Sequence, residues 1–230
     1  MLTIHRDFQQ GSLEWDQMRC GKVTMSRAKD LVASRGKGVG RKSYILQCVA
    51  EALSGQSADG FTSYDMERGT FMEPHALQAF SNHTGHKLDT VGFVQNHHDL
   101  IGCSPDALIG DNAGVEVKSP KPYQHLRNCF ESGVNDYYAQ IQGNMWVCER
   151  DYFFFVSFCP DVEQYPLHVE LVERDEEFIG RLAESAIDAA EEVAGMVARI
   201  KANHVQHDVA TVAAKAREAW ENVFAAEVTL

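Results

Sequence analysis

An α/β fold, with a central mixed sheet flanked by helices, is what this 230-residue sequence predicts, and three observations carry the prediction. Segments with helical spacing lie on either side of a run of short extended pieces. A hydrophobic run over 152–158 suits a strand buried on both faces, and an alanine-rich tail over 175–226 repeats apolar residues at three-to-four intervals. With 44% hydrophobic and 23% charged residues, the chain supports one substantial core and a helical addition. The expected division is a core over 1–175 and a helical C-terminal extension over 176–230, packed on the core or on a neighbouring subunit.

Residues 14–34 read as a tryptophan-containing turn or helix, then a short helix with Thr24 or Ser26 as its N-cap. Residues 34–43 combine three glycines with four basic residues and are expected as a mobile surface loop. The G-K-[ST] ending of a nucleotide-phosphate loop is absent there, so contact with a DNA backbone is the role such a loop can serve. Residues 44–53 and 64–83 have helical spacing; Gly85 stops the second, and Pro74 restarts or kinks it. From Lys87 the texture changes to extended pieces at 91–95, 100–103, 107–109 and 115–118, expected as a small antiparallel meander. A helix over 136–148, the strand over 152–158 and another over 167–172 follow. In the tail, Phe178, Leu182, Val193, Val197 and Ile200, then Val209, Val212, Ala216, Trp220 and Val223, recur at helical spacing. Trp15, Trp146 and the run Phe153, Phe154, Phe155 are assigned to the core.

Composition narrows the function classes. A net charge of −12 argues against a protein that coats nucleic acid, although a local basic channel remains compatible with it. The six scattered cysteines show no C-x-x-C spacing and read as free thiols of a reducing cytosol. Residues 1–10 mix polar and apolar types, so no secretory signal is expected, and no apolar stretch approaches the roughly 20 residues of a membrane span. A soluble, cytoplasmic protein is the expectation.

Chemistry concentrates in Ser104-Pro105-Asp106 and in Val115-Glu116-Val117-Lys118. On a strand, Glu116 and Lys118 share one face while Val115 and Val117 turn to the core. An antiparallel turn through 110–114 brings Asp106 beside Glu116. Two carboxylates facing one point repel unless a cation separates them, and hard oxygen ligands favour magnesium or manganese. The neighbouring lysine can then hold an attacking water. An E-x-K tripeptide by itself is common, and a surface Glu–Lys pair is the competing reading. His83, His86, His97 and His98 suggest a zinc site, but no thiol or acid stands at a ligand interval beside them.

The surrounding motifs decide between these readings. Trp15, Arg19 and Gly21 with Thr24 and Ser26, Arg68-Gly69 leading to Glu73-Pro74 and Ala76, Cys103-Ser104-Pro105-Asp106, Glu116-Val117-Lys118, and Tyr138, Gln140 and Gln142 with Met145-Trp146 occur in one order. In these motifs, over residues 15–172, the chain resembles the phage lambda exonuclease family, the YqaJ-like viral recombinase nucleases of the PD-(D/E)xK superfamily. The resemblance implies a restriction-endonuclease-like core. It implies that Asp106, Glu116 and the Val117 carbonyl bind metal, that Lys118 positions water, and that Glu73 completes a second cation site. Gln140 then lines the active site on a face adjoining the Ile141, Met145 and Cys148 stripe, with Asn144 on the same face and Gln142 directed away. Arg19 matches the contact to a terminal 5′-phosphate, a role its forked guanidinium suits, with Ser26 and Ser104 nearby.

By resemblance, the expected activity is 5′-to-3′ digestion of one strand of linear double-stranded DNA to mononucleotides, leaving a 3′ overhang for recombination by strand annealing. Two Mg²⁺ ions, with Mn²⁺ as a substitute, are the implied cofactors. The implied partners are double-stranded DNA ends, two further copies in a ring-shaped homotrimer, and a single-strand annealing recombination protein in a bacterial or phage-infected cell. The alternatives are another PD-(D/E)xK nuclease, cutting internally or 3′-to-5′, and a non-catalytic clamp on DNA ends.

Overall fold

A computed structural model describes residues 2–33, 38–57, 64–203 and 207–227, without the side chains of 207 and 223–227. Strand β1 is Thr3–His5. Ser12 opens helix α1 (Leu13–Arg19) by accepting the Trp15 N–H at 3.2 Å. Glu14 and Asp16 in its first turn and Arg19 in its last each sit at the helix pole of opposite sign. Strand β2 (Val23–Thr24) passes through a 3-10 turn, Met25–Arg27, into α2 (Ala28–Val32). Thr24 holds the cap position of that turn, but its hydroxyl turns to Tyr44 and Ser26 at 3.3 and 3.2 Å, so the expected side-chain cap is not made.

Helix α3 (Val39–Ser54) begins inside the stretch expected as a loop. Residues 34–37 lie outside the described residues, whereas 39–43 are helical, held by the Arg41–Glu192 ion pair at 2.9 Å and by the close seat of Gly40 on Asp30. Helix α4 (Tyr64–Thr84) continues through Pro74 and ends at Gly85, whose φ of +76° a side-chain-free residue adopts at no steric cost.

The remaining strands are β3 (Phe93–Gln95), β4 (Ile101–Cys103), β5 (Ala107–Ile109), β6 (Ala113–Lys118), β7 (Tyr152–Phe158) and β8 (Leu167–Glu173). Helices α5 (Pro122–Phe130) and α6 (Tyr138–Cys148) separate β6 from β7, and α7 (Glu176–Lys201) and α8 (His207–Glu227) end the chain. The mixed α/β fold is as expected, but the strands sort into two four-stranded sheets, β1-β3-β4-β2 and β5-β6-β7-β8, in place of one central sheet. Each is mixed: β2–β4 and β6–β7 are parallel and the other pairings antiparallel. The expected meander is therefore cut between β4 and β5, where Pro105 has no N–H to give a ladder.

The second sheet is covered on both faces. Ala76, Leu77 and Phe80 of α4 pack on Ala107, Val115, Val117 and Val156. On the other face, Ile141 and Met145 of α6 and Ile179 of α7 pack on Phe153 and Phe155. This is the two-sided burial expected of 152–158, each buried phenylalanine contributing roughly 1.5–3 kcal/mol. Gly114 pairs with Phe153, whose ring lies 2.3 Å from where a Cβ would stand, so the crossing needs glycine.

The chain divides into two compact units, 1–194 and 195–230. The first extends past the expected boundary at 175 because Ile179, Leu182, Ala186, Ala189, Ala190 and Val193 of α7 are buried within it. Val197 and Ile200, expected on the same stripe, are not buried. In the second unit Val209, Val212 and Trp220 are exposed, and the Val223 side chain lies outside those described.

Candidate active site

Residues on β6 that pair with Phe155 and Ser157 share their side of the sheet, so Glu116 and Lys118 face α6 while Val115 and Val117 face α4. Glu116 is 1% exposed. Its Oε1 accepts from Lys118 Nζ and from Gln140 Nε2, both at 2.6 Å, and its Oε2 accepts from Asn144 Nδ2 at 2.9 Å. The Lys118 ammonium also lies 5.1 Å from the centre of the Tyr137 ring. Gln142 turns away, as expected, bonding the Glu173 carbonyl and the Asp175 N–H.

Asp106 enters just before β5. Its N–H donates to the Val115 carbonyl at 3.2 Å, and its Oδ2 accepts the Val117 N–H at 2.5 Å. The N–H and C=O of one strand residue point to the same side, so the Val117 carbonyl opens on the edge that carries Asp106. Asp106 keeps some accessible area yet is surrounded by protein, and burial, then the charges of Glu116 and Glu73, push its carboxyl well above the usual carboxylate range. Glu73, on α4, is raised by burial and by Glu116. For Lys118 burial works the other way, but Glu116 and Asp106 outweigh it and hold the ammonium above its ordinary pKa.

Three carboxylates around one ammonium form a set that a cation would relieve, and every free donor is a hard oxygen. Among the described residues, no three Asp, Glu, His or Cys side chains converge tightly enough to hold an ion by themselves. The donors fit magnesium on that basis, since Mg²⁺ takes one or two carboxylates and completes its shell with waters and substrate phosphate. The histidines considered for zinc are dispersed: His97 pairs with Glu149, and His86 packs against Phe80 and Phe154.

A second group forms beside the first sheet, on α1, the 3-10 turn and the residue after β4. Arg19 lies with its guanidinium 4.0 Å from the centre of the Trp15 ring and its Nη2 3.5 Å from Ser26 Oγ. The Trp15 indole N–H donates to Ser104 Oγ at 2.8 Å, so Trp15 is a half-buried platform and not the core residue expected. Parallel pairing of Val23 with Ile101 and of Thr24 with Gly102 sets this corner beside Ser104. Arg19, Lys22, Thr24, Ser26, Arg27 and Tyr44 are among the residues lining a cavity of about 50 Å³ there. Arg19, Ser26 and Ser104 are thus together, and Ser104-Pro105-Asp106 ties them to the carboxylates. Burial and then Cys148 push the Cys103 thiol well above its ordinary range, with Glu116 adding to the rise and Arg19 opposing it.

Sequence reasoning placed Asn144 beside Gln140 without giving it a partner; the i, i+4 spacing was the signal. It also missed the use of Arg68, which donates to the Ser119 carbonyl at 2.6 Å and pairs with Asp161 at 2.7 Å, fixing the chain just after Lys118. Helix α5 has no counterpart among the segments expected from spacing, although Pro122 in its first turn is a start signal.

Comparison with known proteins gives a consistent picture. A family model described as the YqaJ-like viral recombinase domain matches residues 14–151. The protein ExoD of Escherichia coli (strain K12) is 30% identical over 71 residues, 31% of this chain and 82% of that protein. An alkaline exonuclease (LHK-Exo) from Laribacter hongkongensis, solved alone and in complex with dAMP, superposes with a TM-score of 0.76 at 27% identity, covering 83% of this chain and 96% of that one. A phage related exonuclease from Haemophilus somnus 129PT shares the fold at a TM-score of 0.61 and 18% identity, covering 78% and 96%.

Proposed function

The chain belongs to the YqaJ-like viral recombinase family, and on that premise we propose that it is a DNA exonuclease that removes mononucleotides 5′-to-3′ from one strand of linear double-stranded DNA, leaving a 3′ overhang. One observation carries the reading: a carboxylate–lysine cluster on one sheet and an arginine–serine corner beside the other are joined by the single segment Ser104-Pro105-Asp106. The likeness to an alkaline exonuclease supports a nuclease, and dAMP in that relative is a nucleotide of the kind released here.

Asp106, Glu116 and the Val117 carbonyl would hold Mg²⁺, with Glu73 completing a site for a second ion. The chemistry that such an ion would supply there is activation of water and offset of charge on the phosphate oxygens. Lys118 keeps its proton at neutral pH, so Nζ serves as a donor that orients the attacking water and not as its base. Gln140 and Lys118 hold the Glu116 carboxylate still, limiting reorganisation during reaction. Arg19, steadied on Trp15, meets the terminal 5′-phosphate with paired N–H donors, while Ser26 and Ser104 add hydroxyls. A ring-shaped homotrimer on double-stranded DNA and a single-strand annealing partner complete the proposal, the first checked by light scattering. No helix among the described residues is long and apolar enough to cross a membrane.

The deciding experiment uses linear duplex DNA labelled at its 5′ or 3′ ends, with Mg²⁺. Early release of the 5′ label as a mononucleotide, with closed circles left intact, is the expected result. Cutting of circles indicates an endonuclease, first loss of the 3′ label the opposite polarity, and binding without hydrolysis an end clamp.

A further inference from the structure

We propose that Asn144 is a positioning residue for the metal-binding carboxylate, holding Glu116 so that Oε2 meets the cation through one lone pair; this rests on the metal-dependent function proposed above. A carboxylate offers about four lone-pair sites. Two on Oε1 are taken by Lys118 and Gln140, and one on Oε2 is taken by Asn144. One site remains, and it is on Oε2. A two-point grip on the cation by Glu116 is therefore closed unless one of these partners lets go.

Chemistry sets the orientation of Asn144. Only its amide NH₂ can face a carboxylate, because its carbonyl oxygen would meet like partial charge. Asn144 and Glu116 are each 1% exposed, so bulk water does not replace the bond if it is lost. Asn144 lies one turn beyond Gln140 on α6, and Ile141, Met145 and Cys148 anchor that helix in the interior. Gln140 and Asn144 thus grip opposite oxygens of one carboxylate from a single rigid element, which fixes the plane of the group. Without Asn144 the carboxylate is held at Oε1 alone and rotates out of register with Asp106. Loss of a hydrogen-bond partner behind a metal ligand typically weakens metal binding by roughly 10–100-fold.

Mn²⁺ binding to the full chain, followed through the electron paramagnetic resonance signal of free Mn²⁺, tests this without any turnover. Asn144→Ala is compared with wild type and with Gln142→Ala, which removes an equally buried amide that bonds Glu173 and Asp175 and leaves Glu116 untouched. The expected result is a rise in the Mn²⁺ Kd of about 10–100-fold for Asn144→Ala, with no rise for Gln142→Ala. Asn144→Leu, which keeps the branched side-chain shape without the donor, replaces the alanine variant if that does not fold. Unchanged Mn²⁺ affinity in the Asn144 variant, or equal weakening in Gln142→Ala, overturns the assignment alone. A wild-type chain that binds no Mn²⁺ overturns the metal-dependent reading with it.

Discussion

Replacing Asp106 with asparagine is expected to raise the stability of the metal-free protein while abolishing its nuclease activity. Asp106 shares its surroundings with Glu116 and Glu73, and Lys118 is the cation set against all three. Neutralising Asp106 relieves the cost of burying its charge and its repulsion by Glu116 and by Glu73, each about 4 kcal/mol at 4 Å and an effective dielectric near 20 and less at longer range, but gives up an attraction of the same order to Lys118. Against this, the Val117 N–H loses charge assistance when its acceptor becomes a neutral amide oxygen, a cost of about 1 kcal/mol. The net gain is therefore roughly 2 kcal/mol, which for a chain of this length raises Tm by about 4–8 °C. Differential scanning calorimetry in EDTA at pH 8 measures it. The pH dependence supplies a sign check. A carboxyl whose folded pKa lies above its unfolded value stabilises the fold below about pH 4, and that contribution is lost as pH rises through the folded value. The advantage of Asp106→Asn should accordingly be small near pH 4 and widen as pH increases. Excess Mg²⁺ should raise the Tm of wild type and close the gap. A variant less stable than wild type in EDTA at pH 8 would refute the reasoning, as would retained cleavage.

Three further outcomes follow from the geometry. Lys118→Ala should lower the cleavage rate by about 10²–10³-fold, the usual effect of losing a preorganised donor, with duplex affinity in Ca²⁺ preserved; parallel loss of binding would point to a scaffold role. Arg19→Ala should remove the preference for 5′-phosphorylated over 5′-hydroxyl ends, measured as the ratio of kcat/KM, whereas an unaltered ratio would place the terminal phosphate elsewhere. Gly114→Ala drives a methyl into the Phe153 ring and should cost about 1–3 kcal/mol, seen as a lower midpoint in urea denaturation; an unchanged midpoint would mean that the crossing is loosely packed.

The strand that carries Glu116 and Lys118 was legible because its signal is local. Strand alternation alone put Glu116 and Lys118 on one side and Val115 and Val117 on the other, as found. The division into two sheets was not legible, since it depends on the non-local parallel pairing of β2 with β4, and a two-residue strand leaves no periodicity to read. Trp15 looked like core because large aromatics usually are; its indole N–H and its face instead serve Ser104 and Arg19, partners that only the fold brings near. The start of α3 was hidden by its glycines, whose low helix propensity is overridden by tertiary contacts at Arg41 and Gly40. Asn144 was placed on the right face, but a hydrogen bond across 28 residues of sequence has no local mark.

Anomalous diffraction from crystals grown with Mn²⁺ addresses the metal chemistry most directly. Anomalous density lodged between the Asp106 and Glu116 carboxylates is the expected result. Crystals that bind manganese only elsewhere, with those two side chains still bare, would contradict it.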